Sequence, residues 1–180
     1  MTDSNFLKGR GIQFLFLLGL FLPSSTALAL DIPWSLEGGY SYSVLNKGDY
    51  KAARGGWVSA EAHFPYLSLE AGYQDLGRFD LKNVSKTHID VDGYTAGLLK
   101  RFRLNNRLSV DARLGVYAWK ADATFLDENV GEDRGDSLWL GAAGHLDLTQ
   151  RFGLFLSWQW FYDISKANIN TLSVGLNLNF

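Results

Sequence analysis

The chain has 180 residues, of which 17 are basic and 19 acidic, and it contains no cysteine. A net charge of −2 gives no bulk attraction for nucleic acid, and an exported chain without cysteine cannot be held by disulfides. Glycine outnumbers proline by 19 to 3 and aromatic residues make up 14%, a composition of strands and turns rather than of disorder.

Lys8 and Arg10 precede an apolar run from Gly11 to Leu22, followed by Pro23-Ser24-Ser25 and the small-residue site Ala27-Leu28-Ala29. That order predicts a signal peptide over residues 1–29, because the run is shorter than the ~20 residues a spanning helix needs. Cleavage after Ala29 would leave a single domain, Leu30 to Phe180, with 15 basic and 18 acidic residues and a net charge of −3. The rest of the chain has no apolar run of spanning length. Alternation is the pattern to follow there.

Strand one is expected over Trp34 to Val44, with Trp34, Leu36, Tyr40, Tyr42 and Val44 opposed to Glu37, Gly39, Ser41 and Ser43. After a polar stretch, Leu45 to Gly56, strand two sets Val58, Ala60, Ala62 and Phe64 against Ser59, Glu61 and His63. Pro65-Tyr66 turns the chain into strand three, where Leu67, Leu69, Ala71 and Tyr73 oppose Ser68, Glu70, Gly72 and Gln74. A second polar stretch covers Asp75 to His88. Strand four opposes Tyr94, Ala96, Leu98 and Phe102 to Thr95, Gly97 and Arg101; Ile89 and Val91 have the wrong parity, which predicts a bulge near Asp92-Gly93. Asn105-Asn106 is a turn, and strand five sets Leu108, Val110, Ala112, Leu114 and Val116 against Ser109, Asp111, Arg113 and Gly115.

The longest expected connection is Lys120 to Asp136. Strand six then alternates Leu138, Leu140, Ala142, Leu146 and Leu148 with Gly141, Ala143, His145 and Asp147. A turn at Thr149-Gln150-Arg151 leads to strand seven, which sets Phe152, Leu154, Leu156, Trp158, Trp160 and Tyr162 against Gly153, Ser157, Gln159 and Asp163. A last connection, Ile164 to Asn170, leads to strand eight. There Leu172, Val174, Leu176, Leu178 and Phe180 oppose Ser173, Gly175, Asn177 and Asn179.

These elements predict an all-β chain, an eight-stranded antiparallel up-and-down transmembrane β-barrel whose tight turns lie at one end and whose long connections lie at the other. Glycines sit on the polar face about once per strand, as a lumen filled by side chains requires and a water-facing surface does not. The aromatics fall into two girdles: Trp34, Phe64, Tyr66, Phe102, Phe152 and Phe180 at the short-turn end, and Tyr42, Tyr73, Tyr94, Trp158, Trp160 and Tyr162 towards the other. Lys100, alone among charges on the apolar face, is near a strand end where it can snorkel.

With that arrangement in place, the chain resembles the OmpA-like transmembrane β-barrel family. The resemblance is carried by Leu69 to Gly77 (LEAGYQDLG), Asp92 to Leu98 (DGYTAGL), Leu114 to Trp119 (LGVYAW) and the closing Leu172 to Phe180 (LSVGLNLNF). It implies residence in the outer membrane among lipid and lipopolysaccharide, with Phe180 read by the barrel-assembly machinery. It also implies a monomeric state and no cofactor. Some members add a periplasmic peptidoglycan-binding domain, a function that this barrel-only sequence does not inherit.

Glu37, Glu61, His63, Glu70, Arg101, Asp111, Arg113, His145 and Asp147 have inward parity and must pair in so narrow a space. They predict a structural charge network that fixes register. The alternative is a gate that opens a narrow path for ions or small solutes, made pH-sensitive by His63 and His145. A lipid A-modifying enzyme is the remoter alternative, for which His88 with Ser85 or Ser137 is the one candidate; no catalytic motif surrounds them. Asp122, Asp127, Glu128, Glu132, Asp133 and Asp136 could gather a divalent cation, but their spacing fits no defined calcium loop, so no metal site is expected and a solvated loop is. Trp57, Trp119 and Trp139 have inward parity near the outer rim, where they narrow the mouth or contact a ligand, unless a bulge turns them outward.

Overall fold

The computed structural model describes residues 32–180; the expected signal peptide and its cleavage site lie outside them. Eight strands form one closed antiparallel barrel in chain order. They are β1 (Trp34–Leu45), β2 (Ala53–His63), β3 (Ser68–Asp80), β4 (His88–Arg103), β5 (Leu108–Phe125), β6 (Glu128–Asp147), β7 (Phe152–Ile164) and β8 (Ala167–Asn179). β1 and β8 close the wall through an unbroken register from Ser35↔Asn179 to Leu45↔Ile169. Closure leaves no edge within the barrel wall, the condition for strands to cross a bilayer.

The pleat separates two chemistries. Tyr40, Val58, Leu69, Leu114, Leu138, Leu156, Val174 and Leu176 are exposed on the outer face, while Ser35, Glu37, Ser59, Glu61, Ser157, Thr171 and Ser173 are buried inside. A belt of exposed Leu, Val, Tyr and Phe on every strand far exceeds the apolar patches a water-facing monomer tolerates. Hydrocarbon is the solvent that suits it.

Strands run much further than their alternation suggested. The polar stretch Lys120 to Asp136 is a hairpin, not a loop: β5 and β6 pair from Leu108↔Leu146 up to Phe125↔Glu128. Its turn, Leu126-Asp127, has positive φ at both residues (51° and 68°), and Ser165-Lys166 repeats this between β7 and β8 (47° and 65°). Two consecutive positive φ values give the turn whose twist matches a hairpin. On the far side of the hairpin, β6 pairs with β7 only from Trp139↔Phe161 to Asp147↔Gly153. Glu128 to Leu138 therefore carry a free edge, touched by side-chain bonds from Ser165 Oγ to Asp133 (2.9 Å) and from Ser137 Oγ to the Tyr162 carbonyl (2.6 Å).

The irregularity in strand four is resolved on its neighbour. β4 and β5 pair without a break from His88↔Thr124 to Arg103↔Ser109, so no bulge lies at Asp92-Gly93. The bulge is in β3, where Leu76 is inserted between Asp75↔Asp92 and Gly77↔Val91. Val91 then points inward and is buried with Leu76. Its parity is correct for a lumen that has become apolar at that height. Gly77 takes φ +88°, its N–H donates to Asp75 Oδ1 (2.8 Å), and a Cβ there would sit 2.3 Å from the Arg54 carbonyl oxygen. A second bulge corrects strand seven: the register shifts between Phe161 and Ile164, so Asp163 is exposed rather than inward and Ile164 takes the buried position.

Gly77→Val should therefore lower the unfolding free energy by about 2–3 kcal/mol, since strain and a backbone clash coincide. Gly131→Val, where an added Cβ meets nothing within 4 Å, should stay within about 0.5 kcal/mol. Urea titration of the barrel in micelles, followed by tryptophan fluorescence, compares the two.

Candidate functional site: a lumen filled in layers

Eight strands leave an interior only wide enough for side chains, and here those side chains sort by height. The middle layer is ionic. Arg113, buried, places Nη2 3.1 Å from Glu37 Oε2, 3.1 Å from Glu61 Oε1 and 2.8 Å from Asp111 Oδ2, with Nη1 3.4 Å from Glu70. Arg101 holds Asp111 through both Nε (2.8 Å) and Nη2 (3.0 Å) and reaches Glu61 Oε2 at 3.0 Å. His145 Nε2 lies 2.8 Å from Asp111 Oδ2, and its Nδ1 lies 3.4 Å from Glu37. These side chains come from β1 through β6.

The layer holds together only as a unit. Glu61 and Glu70 are direct cross-strand partners, an arrangement that is repulsive alone. Arg113 lies within 3.4 Å of both and supplies the opposing charge. Arg101 and Asp111 are also direct partners, and there the register itself makes the two-pronged bond. His63 is at the lower margin, with Nε2 3.0 Å from Ser35 Oγ and Nδ1 3.1 Å from Ser68 Oγ. Asp147 is not brought into the cluster. It lies at the short-turn mouth, half-buried and with no cation within 4 Å among the described residues.

Above the ionic layer, among buried Gln74, Thr95, Gln159 and a bonded Ser43–Thr171 pair, the lumen carries an apolar cluster. Leu76, Phe79, Tyr117, Phe161 and Ile169 are wholly buried, and Val91, Trp139 and Ile164 nearly so. Trp57, Trp119 and Trp139 all point inward. Trp139 lies over the Gly97–Gly115 pair of β4 and β5, where a Cβ on Gly97 would come within 2.7 Å of the ring. Its Nε1 donates to the Val116 carbonyl at 3.3 Å. Tyr117 packs on Phe161 with ring centroids 5.0 Å apart, and lower down Phe155 meets Trp57 edge-on at 4.9 Å. Phe155 and Phe161 went unassigned in the sequence; inward parity among serines and glutamine was their only trace.

On the outer face, Trp34 stacks on Phe180 at 4.1 Å, and Phe64, Phe102 and Phe152 are exposed at the same end. Tyr42, Tyr73, Tyr94, Trp158 and Tyr162 are exposed towards the other end, with Trp160 half-buried against Tyr162. The Tyr73 hydroxyl donates to Asp92 at 2.9 Å.

The acidic hairpin residues are dispersed. Lys120 Nζ pairs with Asp122 (2.7 Å) and Glu132 (3.4 Å), Arg134 pairs with Glu132, and Lys86 pairs with Asp127. The bond to Asp122 raises the Lys120 pKa, and that from Arg134 lowers the Glu132 pKa. Among the described residues no group of three or more His, Asp or Glu side chains is arranged to hold a metal ion. His88 pairs with Asp90 at 3.3 Å, and the Ser137 hydroxyl is committed to the Tyr162 carbonyl. Neither Ser85 nor Ser137 is hydrogen-bonded to His88.

Residues 50–178 match the OmpA-like transmembrane domain family. The chain belongs to that family. No curated protein sequence matches it. Among solved structures it is similar to Ail, the attachment invasion locus protein of Yersinia pestis, at 18% identity and a TM-score of 0.62, over 83% of this chain and 99% of that one. OprG from Pseudomonas aeruginosa superposes with a TM-score of 0.61 at 10% identity, covering 83% and 96% of the two chains. Neisserial surface protein A does so at 0.58 and 14%, covering 83% and 97%. These likenesses are likenesses of fold. The family match makes the apolar belt a membrane-spanning surface.

Removing Arg113 alone should be severe. Arg113→Met strands carboxylates in a dry layer and should cost about 3–5 kcal/mol, whereas Arg113→Met combined with Glu37→Leu and Glu70→Leu should recover most of it. Equilibrium unfolding of both variants in one detergent gives the comparison.

Proposed function

We propose that the protein is an exported, monomeric outer-membrane barrel with a structural and surface-interaction role, in which the wall is an anchor and the outer hairpins do the work. The observation that carries this reading is the lumen: an ionic layer and an apolar cluster are stacked in one narrow bore, which supports an anchor over a pore. In this reading the two sets of exposed aromatics sit at the two lipid interfaces. Phe180, stacked on Trp34, is the residue offered to the assembly machinery.

The long-connection end would face outward, amid lipopolysaccharide. β5 and β6, of 18 and 20 residues, exceed the ~9–11 that cross a bilayer, so their hairpin stands above the rim. Its free β6 edge and the exposed Phe125, Leu126 and Val130 at its tip offer backbone and apolar groups to a partner at the cell surface. The dispersed acids and the commitments of His88 and Ser137 favour binding over catalysis.

Two measurements test this. In planar bilayers the purified barrel should give no stable conductance steps; a sustained, voltage-independent current would favour the pore instead. The chain lacks cysteine, so Asp127→Cys on the hairpin turn should react with an impermeant maleimide on intact cells while Asn106→Cys at a short turn should not. Reversed labelling would overturn the orientation.

A further inference from the structure

The short-turn mouth of the barrel opens into a cavity of about 880 Å³. Lys100, Arg101, Arg103 and Arg107 line it, and Asp147 is the only acidic side chain among its lining residues. Arg101 is held from behind by Asp111 and still has a quarter of its side chain exposed, while Lys100 donates to the Tyr66 carbonyl at the lip (2.6 Å). Arg103 and Arg107 have no carboxylate within 4 Å among the described residues, and both are exposed.

Several cations around one concavity repel one another, and a single aspartate cannot balance them. Arg101 is already offset from below by Glu61 and Asp111, so the unbalanced charge at the mouth is that of Lys100, Arg103 and Arg107. A concave site with low-dielectric walls focuses such a potential and draws in counter-ions. Guanidinium forks match the oxygens of phosphate in pairs. The volume falls within the ~300–1,000 Å³ typical of small-ligand sites.

The geometry points to a binding site for a phosphate-bearing small anion in this mouth, with Arg103 and Arg107 as its free clamps and Arg101 as its floor. The phosphate comes either from a soluble metabolite or from a lipid headgroup, since Trp34, Phe64 and Phe180 rim the same cavity. The site does not depend on the surface role proposed above.

Calorimetry on the full barrel in dodecyl maltoside, which carries no phosphate, tests it with inorganic pyrophosphate and with dihexanoylphosphatidylglycerol below its micelle concentration. Saturable binding of at least one is expected, weakened tenfold or more by Arg103→Gln with Arg107→Gln. Asp147→Asn, which removes the opposing charge, should tighten it severalfold. Pyrophosphate binding alone identifies a soluble ligand, and phosphatidylglycerol binding alone a headgroup. No saturable binding of either, or affinities unmoved by both the double variant and Asp147→Asn, would overturn the site.

Discussion

The width of an eight-stranded barrel is the constraint on which everything else depends. Its bore admits side chains and little more, so each inward residue must fit, and each inward charge must find its partner within the same slice. Arg113 shows how tight this is. Glu37, Glu61, Glu70 and Asp111, from four strands, all lie within 3.4 Å of its guanidinium. Loss of that one group is felt by the whole layer, because Arg101 alone cannot offset the four carboxylates left buried there.

The apolar layer answers the same constraint by other means. Towards the long-strand end the lumen closes with Trp139, Tyr117, Phe161, Phe79 and Ile169, and the backbone bends to admit them. The Leu76 bulge delivers an extra apolar side chain and needs Gly77 to do so. The Gly97–Gly115 pair makes the floor on which Trp139 lies. Burying a Phe or Leu side chain contributes about 1.5–3 kcal/mol, so this cap stabilises the end of the barrel that carries its longest strands.

Strand number, the lipid face and the inward charges were legible in the sequence because period-two alternation encodes them directly. Heights and turns were not. Lys120 to Asp136 reads as loop because acidic residues occupy both faces, which hydrophobic alternation cannot parse once a hairpin has water on both sides. The turn residues gave no help: Leu126-Asp127 and Ser165-Lys166 adopt a conformation usually marked by Asn-Gly or Asp-Gly. Val91 misled for a different reason. Parity assigns apolar residues to lipid, and the rule inverts where the lumen itself turns apolar. The bulge at the top of β7 turns Asp163 outward against its parity, and Asp147 shares the inward parity of the ionic residues but lies closer to the mouth.

The two faces of the wall answer to different selection. An outward leucine needs only to stay apolar, so Leu, Val, Ile, Phe and Tyr can replace one another there with little effect on the barrel. An inward residue is tied to neighbours on several strands, and its replacement demands a matching change elsewhere. Half of each strand can thus drift freely while the other half moves in concerted steps. Such a barrel can keep its architecture while most of its sequence changes.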